Sequence, residues 1–196
     1  MTAQPSFGAL FDRFIELRGD RTESAGTAIT GGLGWLRDTR VVAIAAEQQP
    51  VLQPAALRRL IRLLYIAERF QRPVVLWEMR LFVTPDRGGN LLVVDTLRQA
   101  RTQLSELSVP VIAILGASTK LPTWVDAATA DGVVLASPPE NPLDQSTKAL
   151  KFNLQSANTT RQIQTATIAL LQQASKIPSE ARIRLRVSRL RALAFD

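Results

Sequence analysis

The chain has 196 residues, close to the length of one ordinary domain, and 46% of them are hydrophobic, which is enough to bury a core. It contains no Cys and no His, which excludes disulfides, thiolate nucleophiles, imidazole bases and metal sites built from either residue. Its 24 basic and 17 acidic side chains give a net charge of +7, so the composition is compatible with an anionic partner.

The first quarter of the chain predicts a helix followed by two strands. Apolar residues at helical spacing predict a helix over residues 7–17 that ends at Gly19. Residues 27–29 and 41–45 predict two strands. The glycine-rich residues 31–34 between them predict a tight turn, because a dinucleotide-binding fingerprint has a different glycine spacing and leads into a helix.

The middle of the chain predicts helices that alternate with short apolar strands. A helix is predicted from about Pro54, with Arg58 and Arg62 off its buried stripe. A strand is predicted at 74–77 and a second helix over 95–107, whose first residue is an aspartate suited to a helix N-terminus. The buried stripe of the first of these helices is predicted to consist of Leu57, Leu60, Ile61, Leu64 and Ala67.

The second half of the chain predicts two further strands and a helical end. Residues 109–115 are continuously apolar, as in a strand buried on both faces, and residues 133–135 predict a shorter strand. Helices are predicted over residues 143–154 and 160–175. Residues 182–193 fit either a strand or a helix, because their apolar residues recur at both spacings.

The order of these elements predicts the architecture. Strands that alternate with helices indicate a parallel sheet with right-handed crossovers. No linker or internal repeat divides the chain, so we expect one domain over residues 1–196 with a helical, basic tail over about 155–196. In such folds ligands bind at the carboxyl ends of the strands, which here points to the loops at 46–50, 78–90 and 116–123.

Four acidic residues are candidate bases or metal ligands: Glu47, Glu78, Asp86 and Asp131. No two of them have a spacing that by itself indicates a paired-carboxylate site, so each is interpreted first as a surface acid near arginines. Glu78 is the most interesting of the four, because it ends an apolar strand beside Trp77.

The arginines are concentrated in two segments, residues 58–72 and 182–191. We interpret them as a solvated basic face or as a contact with an acidic partner subunit, since arginine is favoured at interfaces. Nucleic-acid binding is the alternative, but only 6% of the residues are aromatic and no RNA-stacking motif accompanies the arginines.

No segment is predicted to enter a membrane. The longest apolar runs, such as residues 41–46, have six residues, whereas a membrane-spanning helix needs about 20. The first residues lack the basic patch and the apolar stretch of a secretory signal. We therefore expect a cytoplasmic protein without a membrane span.

Several phrases of the chain carry a family resemblance. Residues 10–21 read Leu-Phe-Asp-Arg-Phe-Ile-Glu-Leu-Arg-Gly-Asp-Arg, and the glycine-rich residues 28–33 follow them. Residues 56–74 end in Ala-Glu-Arg-Phe-Gln-Arg-Pro-Val, and residues 107–112 read Leu-Ser-Val-Pro-Val-Ile. These phrases resemble the carboxyltransferase alpha subunit of bacterial and plastid acetyl-CoA carboxylase, and the basic, aromatic ending at 189–195 is faintly similar to that family's ending.

The resemblance implies an α/β fold, the crotonase/ClpP-like spiral of ββα units with a helical C-terminal extension. It implies an activity in fatty acid synthesis, the transfer of a carboxyl group from carboxybiotin to acetyl-CoA together with a zinc-bearing beta subunit. Catalysis in that family relies on backbone N–H groups of glycine-rich loops, which stabilise negative charge on enolate or carbonyl oxygens. The resemblance therefore implies no intrinsic cofactor or metal in this chain, and acetyl-CoA or malonyl-CoA as the ligand if the site is retained.

The chain departs from the family where that chemistry should lie. After the strand at 109–115 the family continues G-E-G-G-S-G-G-A, whereas this chain reads Gly-Ala-Ser-Thr-Lys-Leu-Pro-Thr. Pro122 has no N–H to donate, and the other replacements place side chains where backbone should meet the ligand. No catalytic residue is assigned, and the candidate ligand loop consists of Gly116, Ala117, Ser118 and Lys120.

Three functions stay open. The loss of glycines beside a retained core favours a non-catalytic binding or assembly subunit, whose partner is a carboxyltransferase subunit, a biotin carrier, a larger assembly or a second copy of the chain. In that case the arginine-rich tail, residues 180–196, is predicted to be a docking surface. The alternatives are an active carboxyltransferase, with Arg58, Arg59 or Lys120 contacting the CoA phosphates, and nucleic-acid binding through the basic face.

Overall fold

Seven strands form one sheet and lie in it in chain order, β1 to β7, in a computed structural model that describes residues 7–18, 29–46, 54–79, 91–116, 127–136 and 153–194. Neighbours among β1, β2 and β3 are antiparallel, and β3 to β7 are parallel. The strands are β1 (Arg13–Glu16), β2 (Ile29–Leu36), β3 (Thr39–Ala46), β4 (Val74–Trp77), β5 (Val111–Leu115), β6 (Gly132–Leu135) and β7 (Leu154–Ser156).

Helices cover both faces of the sheet, as the uniformly buried strands β4, β5 and β6 require. The helices are α1 (Pro54–Arg69), α2 (Leu91–Glu106), α3 (Thr160–Ser175) and α4 (Ser179–Ala194), and a short 3₁₀ turn spans Gly8–Leu10. Helices α1 and α2 share one apolar cluster with alternate residues of the strands, such as Val74 and Leu76. The intervening residues Val75 and Trp77 face the other cluster, with α3 and the 3₁₀ turn.

Several elements confirm the predictions closely. Helix α1 begins at Pro54, its apolar stripe is buried apart from the half-buried Ile61, and Arg58 and Arg62 are exposed. Strand β4 and helix α3 have the predicted bounds. Helix α3 begins with a capping box, in which the Thr159 side chain accepts from the Gln162 backbone N–H and Gln162 reaches back.

The predicted helix over residues 7–17 is wrong. Phe7 and Phe14 do cluster, with ring centroids 5.1 Å apart, but they do so across a 3₁₀ turn and the strand β1. The burial of β1 alternates between exposed and half-buried residues, as a strand's does. The free edge of β2 offers this segment backbone hydrogen bonds, and that tertiary pairing outweighs the helical spacing of the aromatic residues.

The predicted turn at residues 31–34 is also wrong, because these residues lie inside β2. The chain reverses instead at Arg37 and Asp38, where Arg37 has a φ of 53° and its backbone N–H donates to the Asp12 carboxylate at 2.6 Å. A two-residue connection with positive φ at its first position suits the twist of an antiparallel pair.

The glycines of β2 are needed for close packing rather than for turning. A Cβ atom at Gly32 would collide with the backbone carbonyl oxygen of Ile15 on β1, and one at Gly34 would lie 2.6 Å from the Phe11 ring. The first neighbour is rigid backbone, so β1 approaches β2 this closely only because Gly32 has no side chain.

Several other element boundaries differ from the predicted ones. Helix α2 begins at Leu91, four residues before the predicted start, so Asp95 lies inside it and forms an ion pair with Arg98 at 3.0 Å instead of capping it. Strand β5 starts at Val111. Most of the predicted helix over 143–154 lies outside the described residues, and its last residue, Leu154, begins β7. Residues 182–193, whose pattern was ambiguous, lie in the helix α4.

Candidate functional site

The carboxyl ends of β3 to β7 lie along one edge of the sheet, which is where parallel α/β folds bind ligands. Of the three predicted ligand loops, residues 47–50, 80–90 and 117–123 lie outside the described residues, and with them Ala117, Ser118 and Lys120. The described part of this edge consists of the strand ends themselves, in particular Glu78 after β4 and Gly116 after β5.

Glu78 lies directly against Gly116. Its backbone N–H donates to the Ile114 carbonyl at 2.8 Å, which fixes the end of β4 on β5. A Cβ atom at Gly116 would collide with Glu78 Oε1 and lie 2.9 Å from Glu78 Cδ. The space beside the Gly116 backbone is therefore occupied by the carboxyl group of Glu78.

The backbone of Glu78 is strained as well. Its φ is 45°, in the left-handed region that non-glycine residues adopt at a cost of about 1–2 kcal/mol. Such strain persists only where the surroundings enforce it, and it is concentrated at functional sites. The half-buried, acidic Glu78 thus stands at the centre of the candidate edge in a conformation that its own residue type does not favour.

This arrangement constrains the chemistry of the edge. An ionised carboxylate only accepts hydrogen bonds, so it cannot stabilise an enolate or a thioester oxyanion, which needs donors. Glu78 would instead repel negative charge developing beside Gly116.

Arg59, a predicted contact for CoA phosphates, is engaged within the chain. Its Nη2 donates to Glu16 Oε1 at 3.0 Å and to the Leu17 carbonyl at 2.9 Å, and its side chain is 11% exposed. The hydrogen bond from Arg59, and then that from Arg18, holds the pKa of Glu16 below its ordinary value. Arg59 therefore ties α1 to the end of β1.

Arg58, the second predicted phosphate contact, lies in different surroundings. It is exposed and lines a groove between α1 and α2. The two neighbouring arginines of α1 thus do not form one binding site in the described structure.

Asp131 is neither a surface acid nor part of the candidate edge. It precedes β6 at the opposite, amino-terminal edge of the parallel strands, and its Oδ2 accepts from the Val111 backbone N–H at 2.8 Å. Its Oδ1 accepts from Arg186 Nε at 2.9 Å, and both side chains are buried, Arg186 completely and Asp131 to within 3%.

The arginine-rich tail is mostly turned inward, contrary to its prediction as a docking surface. Arg182, Arg186 and Arg189 of α4 are buried, and each donates to backbone carbonyls, such as that of Leu107 at 2.7 Å from Arg186 Nη1. Burial lowers the pKa of both Arg182 and Arg189. Arg182, Arg186 and Arg189 share one face of α4, and we call their contacts with Asp131 and the backbone carbonyls the arginine clamp. Their spacing could have predicted these contacts if the segment had been assigned as a helix.

Within the described ranges no three or more acidic side chains lie close enough together to hold a metal ion. In the same part of the chain no helix is both long and apolar enough to cross a membrane.

Comparison with known proteins supplies the family signal. Residues 4–117 match the family model described as "Acetyl co-enzyme A carboxylase carboxyltransferase-like". The acetyl-coenzyme A carboxylase carboxyl transferase subunit alpha of Streptococcus pneumoniae (strain Hungary19A-6) is 33% identical over 122 residues, which cover 54% of this chain and 46% of that protein. The chain thus spans about half the length of the curated relatives it matches.

Solved structures give the fold. A Pseudomonas malonate decarboxylase MdcD-MdcE hetero-dimer contains a chain that superposes with a TM-score of 0.63 at 16% identity, over 85% of this chain and 84% of that one. The beta subunit of P. aeruginosa geranyl-CoA carboxylase superposes with a TM-score of 0.56 at 18% identity, over 84% and 40%. A transcarboxylase 12S chain, solved as a hexamer assembly, gives 0.53 at 13% identity, over 84% and 40%. These likenesses confirm the predicted crotonase-like α/β fold.

Proposed function

The chain belongs to the acetyl co-enzyme A carboxylase carboxyltransferase-like family, and we propose that it serves there as a non-catalytic binding or assembly subunit. The observation that carries the proposal is the contact between Glu78 and Gly116 at the carboxyl edge of the sheet. Gly116 begins the segment that corresponds to the glycine-rich loop of the family, and a carboxylate fills the space beside it.

The sequence after Gly116 supports the same proposal. The family's donors are backbone N–H groups, whereas this chain places Pro122 and several bulkier residues in their stretch. A site that has lost donors and gained a carboxylate would bind a thioester oxyanion poorly on both counts. The retained helices and strands would then serve recognition of another protein.

The names of the structural relatives support a role in an assembly. The malonate decarboxylase chain was solved in a hetero-dimer and the transcarboxylase 12S chain in a hexamer. For this chain we propose a carboxyltransferase subunit or a biotin carrier as the partner, with no intrinsic cofactor. We propose that the chain acts in the cytoplasm.

Calorimetry with acetyl-CoA and malonyl-CoA tests whether the chain has lost the site that binds the CoA thioester. For the full chain we expect no binding tighter than a Kd of about 1 mM. We also expect no carboxyl transfer when the chain is mixed with a carboxyltransferase beta subunit, carboxybiotin and acetyl-CoA as the acceptor. Micromolar binding together with turnover would overturn the proposal in favour of an active carboxyltransferase with a remodelled site.

A further inference from the structure

The described helices leave one corner of the sheet uncovered. Side chains of residues that pair directly across neighbouring strands share one face of the sheet, so Ile15, Leu33 and Val42 form a row across β1, β2 and β3. Val42 is completely buried in the apolar cluster of α1 and α2, whereas Leu33 is half-buried and Ile15 is 39% exposed. Apolar surface of β1 and β2 is therefore open to solvent on the α1 side of the sheet.

The path of α1 explains this opening. Near the start of the helix, Arg59 donates to the Leu17 carbonyl just after β1. Further along the helix, Leu63 lies so close to Gly31 of β2 that a Cβ atom at this glycine would collide with it. The helix then leads through residues 70–73 directly into β4. Because α1 crosses from β1 towards β4, it covers the end of β1 but not its beginning.

The next row of side chains carries the charge of this corner. Arg13 pairs with Trp35, and Trp35 pairs with Arg40, so these three residues lie on the same face as Ile15 and Leu33. We call these five residues the open corner. The Arg13 guanidinium stacks over the Trp35 ring, with its Cζ 5.1 Å from the ring centroid. Stacking uses the flat face of a guanidinium and leaves its in-plane N–H groups able to donate hydrogen bonds.

The arginines of the open corner have no carboxylate partner in the described part of the chain. Arg13 and Arg40 are exposed, and neither forms an ion pair with a described residue. The adjacent Asp12 accepts instead from the Arg37 backbone N–H at 2.6 Å. Asp38 lies two residues from Arg40 without forming an ion pair with it. The open corner therefore combines two uncompensated guanidinium groups with apolar surface.

We propose that the open corner docks an acidic segment of a partner protein that carries aliphatic side chains between its carboxylates. Arg13 and Arg40 lie two strand spacings apart, about 10 Å, so two carboxylates at that separation would each meet one guanidinium. An aliphatic side chain between them would contact Ile15 and Leu33. Charge complementarity selects the partner, and the apolar contact adds buried area. This inference rests on the proposed binding role.

A second copy of the chain and nucleic acid fit the open corner less well. Two copies joined through this face would bring four guanidinium groups together, and like charges in an interface oppose association. Single-stranded nucleic acid needs open aromatic rings on which bases stack, whereas the Trp35 ring is half-buried and covered by Arg13. The aliphatic Ile15 and Leu33 offer no contact to a phosphate backbone, but they would contact aliphatic side chains of a protein.

Photo-crosslinking in the cells that make the chain tests the proposal. The full chain carries the substitution Ile15→p-benzoyl-phenylalanine, and the control carries the same group at Gln172, which is exposed on α3 across the sheet. We expect an adduct with one protein at position 15 and none at position 172. The crosslinked peptide should contain two acidic residues with aliphatic residues between them.

Charge reversal tests the chemistry of the contact. The double variant Arg13→Glu and Arg40→Glu should lower the adduct yield by about tenfold or more, because like charges would then face each other. The matched control Arg161→Glu and Arg184→Glu has the same net charge, changes exposed residues of α3 and α4, and should leave the yield within about twofold. Equal thermal unfolding of the two double variants excludes misfolding as the cause.

A peptide of the crosslinked segment tests the contact in solution, with the unaltered chain. The chain is labelled with 5-fluorotryptophan, and its fluorine resonances are assigned with Trp35→Phe and Trp77→Phe. The peptide should shift the Trp35 resonance and leave that of Trp77, which packs on the α3 side of the sheet, unchanged. The same peptide with its acidic residues replaced by their amides should bind more weakly by about tenfold or more.

The other outcomes each overturn the open corner as a docking site. They are a nuclease-sensitive adduct, an adduct of the chain with itself, a yield that charge reversal leaves unchanged, an amide peptide that binds equally well, and no adduct above the Gln172 control. An adduct at position 172 alone would retain the binding role and reject the open corner. Turnover in the carboxyl-transfer assay would reject the binding role itself, whatever the crosslinks show.

Discussion

The two edges of the parallel sheet treat charged side chains in opposite ways. At the amino edge, Asp131 accepts hydrogen bonds from Arg186 and from the Val111 backbone, and the guanidinium also donates to carbonyl groups. At the carboxyl edge, Glu78 adopts a left-handed backbone and its carboxylate lies against Gly116. Charge thus holds an element in place at the amino edge, whereas the carboxyl edge carries a strained acid in contact with a glycine.

The largest effect is expected from removing Asp131 at the amino edge. Asp131→Ala leaves Arg186 buried without its carboxylate, and breaking a buried pair in this way costs about 3–5 kcal/mol of unfolding free energy. Urea unfolding measures the loss. The matched control is Asp95→Ala, which breaks an exposed pair with Arg98 and should cost less than about 1 kcal/mol.

Similar losses of unfolding free energy for Asp131→Ala and Asp95→Ala would show that the contact between Asp131 and Arg186 does not hold α4 on the sheet. The arginine clamp also predicts that deletion of residues 180–196 destabilises the chain itself. Weaker binding to a partner after that deletion would therefore not identify the tail as a docking surface.

A smaller effect is expected from crowding the carboxyl edge. Gly116→Ala places a Cβ atom on the Glu78 carboxyl group, and overpacking of this kind costs about 1–3 kcal/mol. The lower end applies here, because the colliding atoms are the far end of a flexible side chain. Since Glu78→Ala removes those atoms, the double variant should recover most of the loss in a double-mutant cycle measured by urea unfolding.

Additive losses in that cycle would mean that the two residues do not share the space as described. Recovery would show that the carboxyl group of Glu78, and not the backbone around it, fills the position beside Gly116.

The strain at Glu78 gives a third and smaller effect. Glycine adopts positive φ without a steric penalty, so Glu78→Gly should be more stable than Glu78→Ala by about 1 kcal/mol. Both variants lack the carboxylate, so thermal unfolding of the pair isolates the backbone contribution. A Glu78→Ala variant as stable as Glu78→Gly would contradict a strained left-handed backbone at this residue.

The elements that could be predicted from the sequence are those that a local pattern of residues determines. Helix α1, strand β4 and helix α3 follow from apolar spacing and from their terminal residues, and phrases that cover much of the chain predicted the family and the fold. The strand β1 and the glycines of β2 could not be predicted this way, because their conformations depend on each other through backbone contacts between strands.

The side chains of the candidate site also divide into features that the local sequence determines and features that tertiary contacts determine. The position of Glu78 at a strand end could be predicted, whereas its backbone conformation and its contact with Gly116 depend on how β4 and β5 align. Arg59 was predicted to contact a phosphate, but this residue of α1 binds Glu16, which is more than 40 residues away in the sequence and lies on the strand β1. Charge alone does not predict which opposite charge the fold will bring to it.

The pairing of Arg59 with Glu16 gives the smallest and most pH-dependent effect. Because the pair holds the folded-state pKa of Glu16 below the ordinary value of 4.5, its stabilisation is present above that pH and is lost as the pH falls through the folded pKa. Unfolding of the chain and of Glu16→Gln should therefore differ at pH 7 and converge in acid. The difference at pH 7 should be below about 1 kcal/mol, because Glu16 is partly exposed and screened by solvent. A difference that persists below the folded pKa would show that Glu16 acts through packing rather than charge.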